Sequence, residues 1–534
     1  MAGIMHRYTL AVRRRFHRMV NDIRIRYLAI QVARHSPNTT AQPVLFFNAS
    51  SRLSGLSLNS AFSLLTSWGL RLAGIPVHHF VCHSGMTRCI HGTKPDEPQK
   101  TPPCRECIRQ SKVNFRSADV TWFRYQPEQA LERALDGLSV EEMKAVVWEG
   151  VPLGALVLPS VRWVLRRYHL QEDKRTQFFY RQYILSAWSI ARSFKDLLSR
   201  IHPSAVVVFN GMVYPEAVVR WIARSQGIRV ITHEVNLQPF SAYFTDREAT
   251  FRTVQFDPAQ ELTEEQSAQL EAYLEKRFRG QFKMAGVTFW KEMHSLGDEL
   301  EAKIGRFQQV VPVFTNVIFD TTQDHANTVF QHMFDWLDTI LGMIRSHPET
   351  LFVIRAHPDE WRPGKTSQES VADWVRQNQV DKLDNVYFIP PDQYISSYEL
   401  IRRGKFIFVY TSTIGLEAAL MGAVVLCGGN ARYNQIPVAF FEKNPADFVN
   451  KAEQLLTEKE VFLPAEYRSN ARKYLFAELF QYALPFDRFL GEDGFWQGYT
   501  RLKPFSWQDL LPEKSKTMKV LIDGILYQKP FRMD

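Results

Sequence analysis

Residues 406–429 read FIFVYTSTIGLEAALMGAVVLCGG, and the fold class follows from this stretch. Phe406-Ile407-Phe408-Val409-Tyr410 is an apolar run with the length and the β-branched and aromatic content of a buried strand. Thr411-Ser412-Thr413 supplies three hydroxyls suited to a loop and a helix N-cap. Ile414, Leu416, Ala418, Ala419 and Leu420 continue as a short helix that Gly422 stops, and Ala423 to Leu426 opens another buried strand. Strand, hydroxyl-rich turn, helix and parallel strand form one βαβ unit. The turn falls at the carboxyl edge of the sheet, where anions bind to helix N-termini.

The alternation continues outward from this unit. Val311 to Val317 and Leu351 to Arg355 read as strands, separated by a helix with Val329, Phe330, Met333, Phe334, Leu337, Ile340, Leu341 and Ile344 on one face. The second strand runs into Ala356-His357-Pro358-Asp359-Glu360, and Val386 to Ile389 is a further strand. A second α/β series precedes it. Val44 to Asn48 is a strand leading into a Ser- and Gly-containing loop in which Arg52, Ser54 and Gly55 could touch a phosphate or an acceptor, or form an ordinary turn. Val77 to Val81 follows. Ala205 to Phe209 leads into Asn210-Gly211, and Val230-Ile231-Thr232 into His233-Glu234. The expected fold class is α/β: two Rossmann-like domains with a basic N-terminal helix and a helical C-terminal tail. The boundaries expected are 1–40 for the helix, 41–256 for the N-terminal domain, 257–310 for a helical linker, 311–480 for the C-terminal domain and 481–534 for the tail. There is no GxGxxG fingerprint, so a dinucleotide site is not expected.

The formal net charge is +9 over 534 residues, with its excess at the start. Residues 1–40 hold Arg7, Arg13, Arg14, Arg15, Arg18, Arg24, Arg26 and Arg34 against one acid, Asp22, a balance of +7. Within residues 5–34 the positions Tyr8, Val12, Phe16, Met19, Ile23, Tyr27 and Ile30 make an amphipathic seam. It reads either as peripheral attachment to an anionic membrane or as packing on the protein itself or a partner. No recognised nucleic-acid module follows the arm, so nucleic acid is not an expected partner. No apolar run reaches the length of about 18 residues that a membrane span needs. The arginines of the arm interrupt any signal-peptide core. The expected setting is cytoplasmic, or peripheral at the inner face of the membrane.

Four of the five cysteines, Cys82, Cys89, Cys104 and Cys107, lie in one Gly-, Pro- and Lys-rich loop, spaced C-x6-C-x14-C-x2-C. That spacing suits a closed structural zinc site, with His83 and His91 as substitute ligands. Reduced thiols in a loop and an iron–sulfur cluster are the alternatives.

Two Rossmann-like halves carrying Arg355-x-His357-Pro358-x-Glu360 and Thr411-Ser412-Thr413-x-Gly415-Leu416-Glu417-x-Ala419-Leu420-x-Gly422 resemble glycosyltransferases of the GT-B architecture. More narrowly they resemble the capsule polysaccharide biosynthesis group, which includes transferases of Kdo and related sugars. The resemblance covers residues 311–445, and the N-terminal half shares it in outline. It implies a nucleotide-sugar donor and a growing surface polysaccharide or glycolipid as acceptor. It further implies that His357 and Pro358 line the donor site, that Ser412 and Thr413 contact phosphate, and that Glu417 holds the ribose. The sialyltransferase relatives carry an acidic-acidic-Gly motif before HP that supplies the base, whereas Glu492-Asp493-Gly494 follows HP here, so no base is carried over.

The residues support the same chemistry. Glycosyl transfer must stabilise a leaving phosphate, a task open to the helix N-terminal amides, Arg355, His357, which Glu360 flanks, and Thr411, Ser412 and Thr413. It must also deprotonate an acceptor hydroxyl, for which Glu234 or His233, beside Asn210 and Gly211, are the candidates across the cleft. No Asp-x-Asp pair is present, so no catalytic cofactor is expected and leaving-group stabilisation falls to protein groups. A nucleotide-sugar epimerase of the same architecture and a catalytically silent scaffold that binds glycan or protein are the competing readings.

Overall fold

The computed structural model describes residues 2–50, 55–279, 283–284, 287–288, 294–496 and 498–534. Two parallel sheets organise the chain. The first has seven strands in the order Leu484–Pro485, Ser241–Thr245, Arg229–Val235, Ala205–Phe209, Val44–Asn48, Val77–Cys82, Asp119–Phe123. The second has six, in the order Val386–Ile389, Thr350–Arg355, Gln309–Phe314, Ile407–Val409, Val425–Cys427, Phe440–Phe441, all parallel. Both sheets are covered on both faces, which is why their strands read as continuous apolar runs. In Val44–Asn48, Leu45 and Phe47 join one core cluster, while Val44 and Phe46 join the cluster on the opposite face. In Gln309–Phe314, Val311 and Val313 face one cluster and Val310 and Phe314 the other. The expected pair of Rossmann-like halves is the fold observed.

Three strands of the first sheet have no counterpart in the sequence reading. Asp119–Phe123 is an edge strand paired with Val77–Cys82, and Ser241–Thr245 runs antiparallel to Arg229–Val235. The third, Leu484–Pro485, belongs to residues 481–534, which carry short strands ahead of the expected C-terminal helix. They return to the N-terminal half and pair Leu484 with Ala242. They then form a Leu490–Glu492 and Tyr499–Leu502 hairpin that pairs with Leu56–Ser57, and they end in the helix Lys516–Tyr527, whose Met518 and Leu521 are in the same core as Phe62 and Leu65. Within 257–310, the helix Glu264–Phe278 packs Leu270 and Leu274 into the core of the C-terminal half beside Leu416 and Tyr474.

The N-terminal helix spans Ala2–His35. It packs through Ile25, Leu28, Ala29 and Val32, a face distinct from the seam of Val12, Phe16, Met19, Ile23 and Tyr27. Among the described residues no helix is long and apolar enough to cross a membrane.

Candidate functional site

In each sheet the strand order reverses once, and the crevice at that reversal is where an open α/β sheet binds ligands. In the C-terminal half the reversal lies between Gln309–Phe314 and Ile407–Val409. The two strand ends are tied there by Asn316, whose Oδ1 accepts the Thr411 N–H at 3.0 Å. Thr411, Ser412 and Thr413 are half-buried at this edge. Thr413 takes the N-cap position of the helix Ile414–Leu420 without a side-chain cap bond. Gly415 is required by close packing, since a Cβ there would lie 2.2 Å from the Tyr433 hydroxyl. That hydroxyl donates to the Ser412 carbonyl at 2.9 Å and fixes the turn.

His357 ends the neighbouring strand and caps the short 3-10 turn Pro358–Trp361, its Nδ1 accepting the Asp359 N–H at 3.2 Å. The ring proton is thereby placed on Nε2. Burial lowers the imidazole pKa, with Asp359 opposing, Arg355 reinforcing and Asp320 opposing. The ring is therefore a neutral N–H donor. Desolvation raises the Asp320 carboxyl above the ordinary range, with the Thr322 and Thr321 N–H groups and His357 opposing.

The other charged residues of the two motifs are engaged elsewhere. Arg355 is buried and donates through Nη1 to the Ile395 carbonyl, and burial lowers its pKa to about 10. Glu417, expected at the ribose, has both oxygens occupied: Oε1 accepts from Arg277 at 2.6 Å and Oε2 from the Tyr398 hydroxyl at 2.5 Å. Burial lowers the Arg277 pKa, but Glu417 outweighs it and the net shift is upward. Glu360 is buried against the Val371 N–H at 3.2 Å, and desolvation raises its pKa to about 8.

Glu360 carries a pH prediction. Its folded pKa lies above the ordinary carboxyl value, so its contribution is intact below that ordinary value and is lost as pH rises through about 8. By pH 7 the loss is on the order of 3 kcal/mol. Glu360→Gln, which still accepts from Val371, is expected to unfold at higher urea than the wild type at pH 7.5 and at the same urea at pH 4. Equal midpoints at both pH values would show that Glu360 is not buried as a neutral acid.

Across the cleft, the N-terminal sheet reverses at Val44–Asn48 and Ala205–Phe209. Asn210 and Gly211 follow the second strand with φ of 58° and 89°. The Asn210 amide donates to Glu234 Oε2 at 3.0 Å, and Asn59 donates to Glu234 Oε1 at 3.0 Å. Glu234 is thus a partly exposed carboxylate held by two neutral amides at a strand end. His233 is corrected: it is buried at 1% exposure, stacked on Phe244 at 5.1 Å, and desolvation lowers its pKa to about 3. It is a neutral core histidine and cannot reach an acceptor. Gly55 sits against Tyr499, 2.8 Å from where a Cβ would lie, under the returning hairpin. Ser54 and Arg52 lie outside the described residues.

The two edges meet through residues the sequence reading did not single out. Arg252 donates to the Val235 carbonyl at 2.7 Å and to Glu478 at 3.1 Å, and Arg432 reaches the same Glu478 oxygen at 3.2 Å. Glu478 is fully buried in a π-helical turn, Ala477–Gln481, where the chain crosses back to the N-terminal half. Asn236 donates to the Tyr482 carbonyl at 3.1 Å and to the Glu478 carbonyl at 3.4 Å in that turn. Phe251 packs on His325, and Tyr168 donates to the Gln331 carbonyl at 3.1 Å. These contacts join the two halves; Glu234 lies at a carboxyl strand end of one sheet and Thr411 to Thr413 at a carboxyl strand end of the other. None of these charges follows a period in the sequence, so no local pattern announced them.

The metal expectation is also corrected. Cys82, Cys89, Cys104 and Cys107 do line one narrow cavity, with Ala49, Ser50 and Met86, roomy enough for about one water molecule. They approach it from different walls: a strand end, a bend and the first turn of the helix Cys104–Asn114. Among the described residues no group of three or more His, Cys, Asp or Glu is arranged to hold a metal ion. The Cys82 thiol accepts the Gly85 N–H at 3.3 Å, and burial raises the Cys89 thiol to about 12. The four thiols do not fit a zinc or iron–sulfur ligand set, and none of the five cysteines is in a disulfide.

Residues 292–473, which contain both motifs, match the family model described as capsule polysaccharide biosynthesis protein. This part of the chain is similar to the capsule polysaccharide biosynthesis proteins. The recognition drawn from the motifs, a GT-B glycosyltransferase of that group, is borne out by the match and by the two-sheet fold. No curated protein sequence matches the chain. Among solved structures, it is similar to the Thermosulfurimonas dismutans KpsC β-Kdo 2,4-transferase at 13% identity, covering 50% of this chain and 79% of that one, with a TM-score of 0.33. The KpsC β-Kdo 2,7-transferase of the same organism gives 12% identity, 63% and 90% coverage and a TM-score of 0.31. The UDP-GlcNAc 2-epimerase of Neisseria meningitidis gives 13% identity, 82% and 99% coverage and a TM-score of 0.23. Scores this low do not decide between transferase and epimerase chemistry.

Proposed function

We propose that the enzyme transfers a sugar from a nucleotide-sugar donor to a surface polysaccharide or glycolipid acceptor, without a catalytic metal, in the cleft between the two sheets. The observation that carries this reading is the opposition of a carboxylate held by neutral amides to a hydroxyl-lined turn beside a neutral histidine. His357 Nε2–H and the hydroxyls of Thr411, Ser412 and Thr413 bind the donor phosphate, with Pro358 fixing the histidine turn. These donors stabilise the charge that develops on the leaving group. Glu234, oriented by Asn59 and Asn210, takes the proton from the acceptor hydroxyl. Arg355, Glu360 and Glu417 shape the donor side from behind rather than touching the donor. The proposed setting is cytoplasmic, and the free cysteines suit a reducing compartment.

The experiment is a thermal-shift screen of UDP-, GDP-, TDP- and CMP-sugars on the wild type, His357→Ala and Ser412→Ala. A donor present at 100 times its Kd stabilises the folded state by about 2.7 kcal/mol. One donor is expected to raise the wild-type Tm by several degrees and each variant's by less. Equal stabilisation of all three proteins would put the donor site elsewhere, and no stabilisation of the wild type by any sugar nucleotide would remove the reading.

A further inference from the structure

The helix Ala2–His35 has a second apolar face that nothing in the described structure covers. Ile25, Leu28, Ala29 and Val32 are buried against the N-terminal half, and Asp22 on the same side accepts from Gln110 and Arg109 at 3.2 Å each. On the opposite side Val12, Phe16, Met19, Ile23 and Tyr27 are exposed by 63%, 58%, 51%, 55% and 60%. At 3.6 residues per turn these five fall on a single stripe about 22 Å long. Isolated apolar side chains are common on protein surfaces, but a row of five in helical register marks an interaction face.

Charge decides what the face meets. On a helical wheel Arg13 and Arg24 fall along one flank of the stripe, and Arg15 and Arg26 along the other. Residues 11–34 contain seven arginines and one acid, Asp22, which is buried against Arg109. A second copy of this helix would bring the same cations to the same flanks and repel. An anionic bilayer satisfies both parts of the pattern. The stripe enters the headgroup–acyl boundary, and the flanking guanidiniums pair with lipid phosphates.

We infer that this face docks the protein on an anionic lipid bilayer, with the helix lying in the plane of the interface. The helix is tied to the rest of the domain at Leu502, whose N–H is accepted by Asn21 at 2.9 Å and whose carbonyl accepts from Arg24. Leu502 belongs to the hairpin that pairs with Leu56–Ser57, immediately after the loop that follows the first strand. The docked helix is therefore rigidly connected to the N-terminal wall of the cleft. That geometry suits an acceptor anchored in the same membrane, although docking itself stands independently of the glycosyl-transfer reading.

The test is co-sedimentation of the full chain with vesicles of phosphatidylcholine alone or mixed with phosphatidylglycerol, for the wild type and for Phe16→Glu/Ile23→Glu. The wild type is expected to bind the anionic vesicles at least about ten-fold more tightly than the neutral ones and to be released by salt. The double variant is expected to lose binding by about ten-fold or more while its Tm stays unchanged, because both side chains are exposed. Absence of binding to anionic vesicles would overturn the inference. So would equal binding by the double variant, or a dimer in light scattering that the double variant abolishes. None of these outcomes bears on the donor screen, so failure of docking and failure of the donor site are distinguishable.

Discussion

Glu234→Gln is expected to lower the rate of transfer by about 10²- to 10⁴-fold while leaving donor affinity within a factor of about two. A thousand-fold loss corresponds to about 4 kcal/mol of transition-state stabilisation. The substitution keeps the size and shape of the side chain and removes its capacity to take a proton. Glu234 accepts from Asn59, from Asn210 and from its neighbour's N–H, Val235. Asn210 cannot turn, since its Oδ1 accepts the Met212 N–H at 3.0 Å. Asn59 can turn, its Oδ1 being buried without a partner, but the Val235 N–H on the same oxygen cannot, so the amide leaves one donor facing a donor. The Tm of the variant is therefore measured with its rate, and the comparison is made at a temperature where both proteins are folded. The measurement is turnover of the donor identified by thermal shift, alongside its Kd by calorimetry. Transfer retained within ten-fold of the wild type would place the base on another residue. A matched loss of donor affinity and rate would make Glu234 a donor contact.

The strands of the two sheets were legible because each is buried on both faces, so composition alone marks them. The strands missed are those for which that condition fails. Asp119–Phe123 is a sheet edge whose Asp119 is exposed, Ser241–Thr245 is polar at both ends, and Leu484–Pro485 is a two-residue edge containing proline. The same physics explains the site. The turns Asn210-Gly211 and Thr411-Ser412-Thr413 were legible because they directly follow buried runs. His233 was not separable from Glu234, since in a strand covered on both faces alternation does not reveal which side chain leaves the core. Burial in Arg229–Val235 ends after His233, and the covering residue Phe244 comes from a strand the sequence did not announce. Arg355, Glu360 and Glu417 find partners at Ile395, Val371, Arg277 and Tyr398, contacts set by tertiary packing that no local spacing encodes. The cysteine spacing was a legible pattern with the wrong outcome, because the thiols converge on a cavity without closing a ligand sphere.

Glu478→Gln is expected to cost about 3–5 kcal/mol, because it removes the carboxylate that two buried guanidiniums share. Arg252 and Arg432 both reach Glu478 Oε1, and the side chains of Arg252 and Glu478 are 10% and 0% exposed. Burial lowers the Arg252 pKa and the charge of Arg432 lowers it further, while Glu478 offsets both. Without that carboxylate, two cations face each other with no counter-charge between the sheets, where water cannot screen them. In a protein of this size such a loss corresponds to a fall of about 3–5 °C in Tm. Arg432→Gln in the Glu478→Gln background removes one of the two cations and is expected to recover about half of the loss. This recovery separates electrostatics from lost packing, since a pure packing defect would grow with a second substitution. The triad also joins Arg252 of the N-terminal half to Arg432 of the C-terminal half through a crossing turn with π-helical hydrogen bonding, a geometry that recurs at functional positions. If the triad holds Glu234 in register with Thr411 to Thr413, the double variant regains stability without regaining transfer. If it serves stability alone, rate and Tm recover together. Denaturation and turnover of the three proteins, measured side by side, distinguish the two, and a Glu478→Gln loss below about 1 kcal/mol would show that the triad carries neither role.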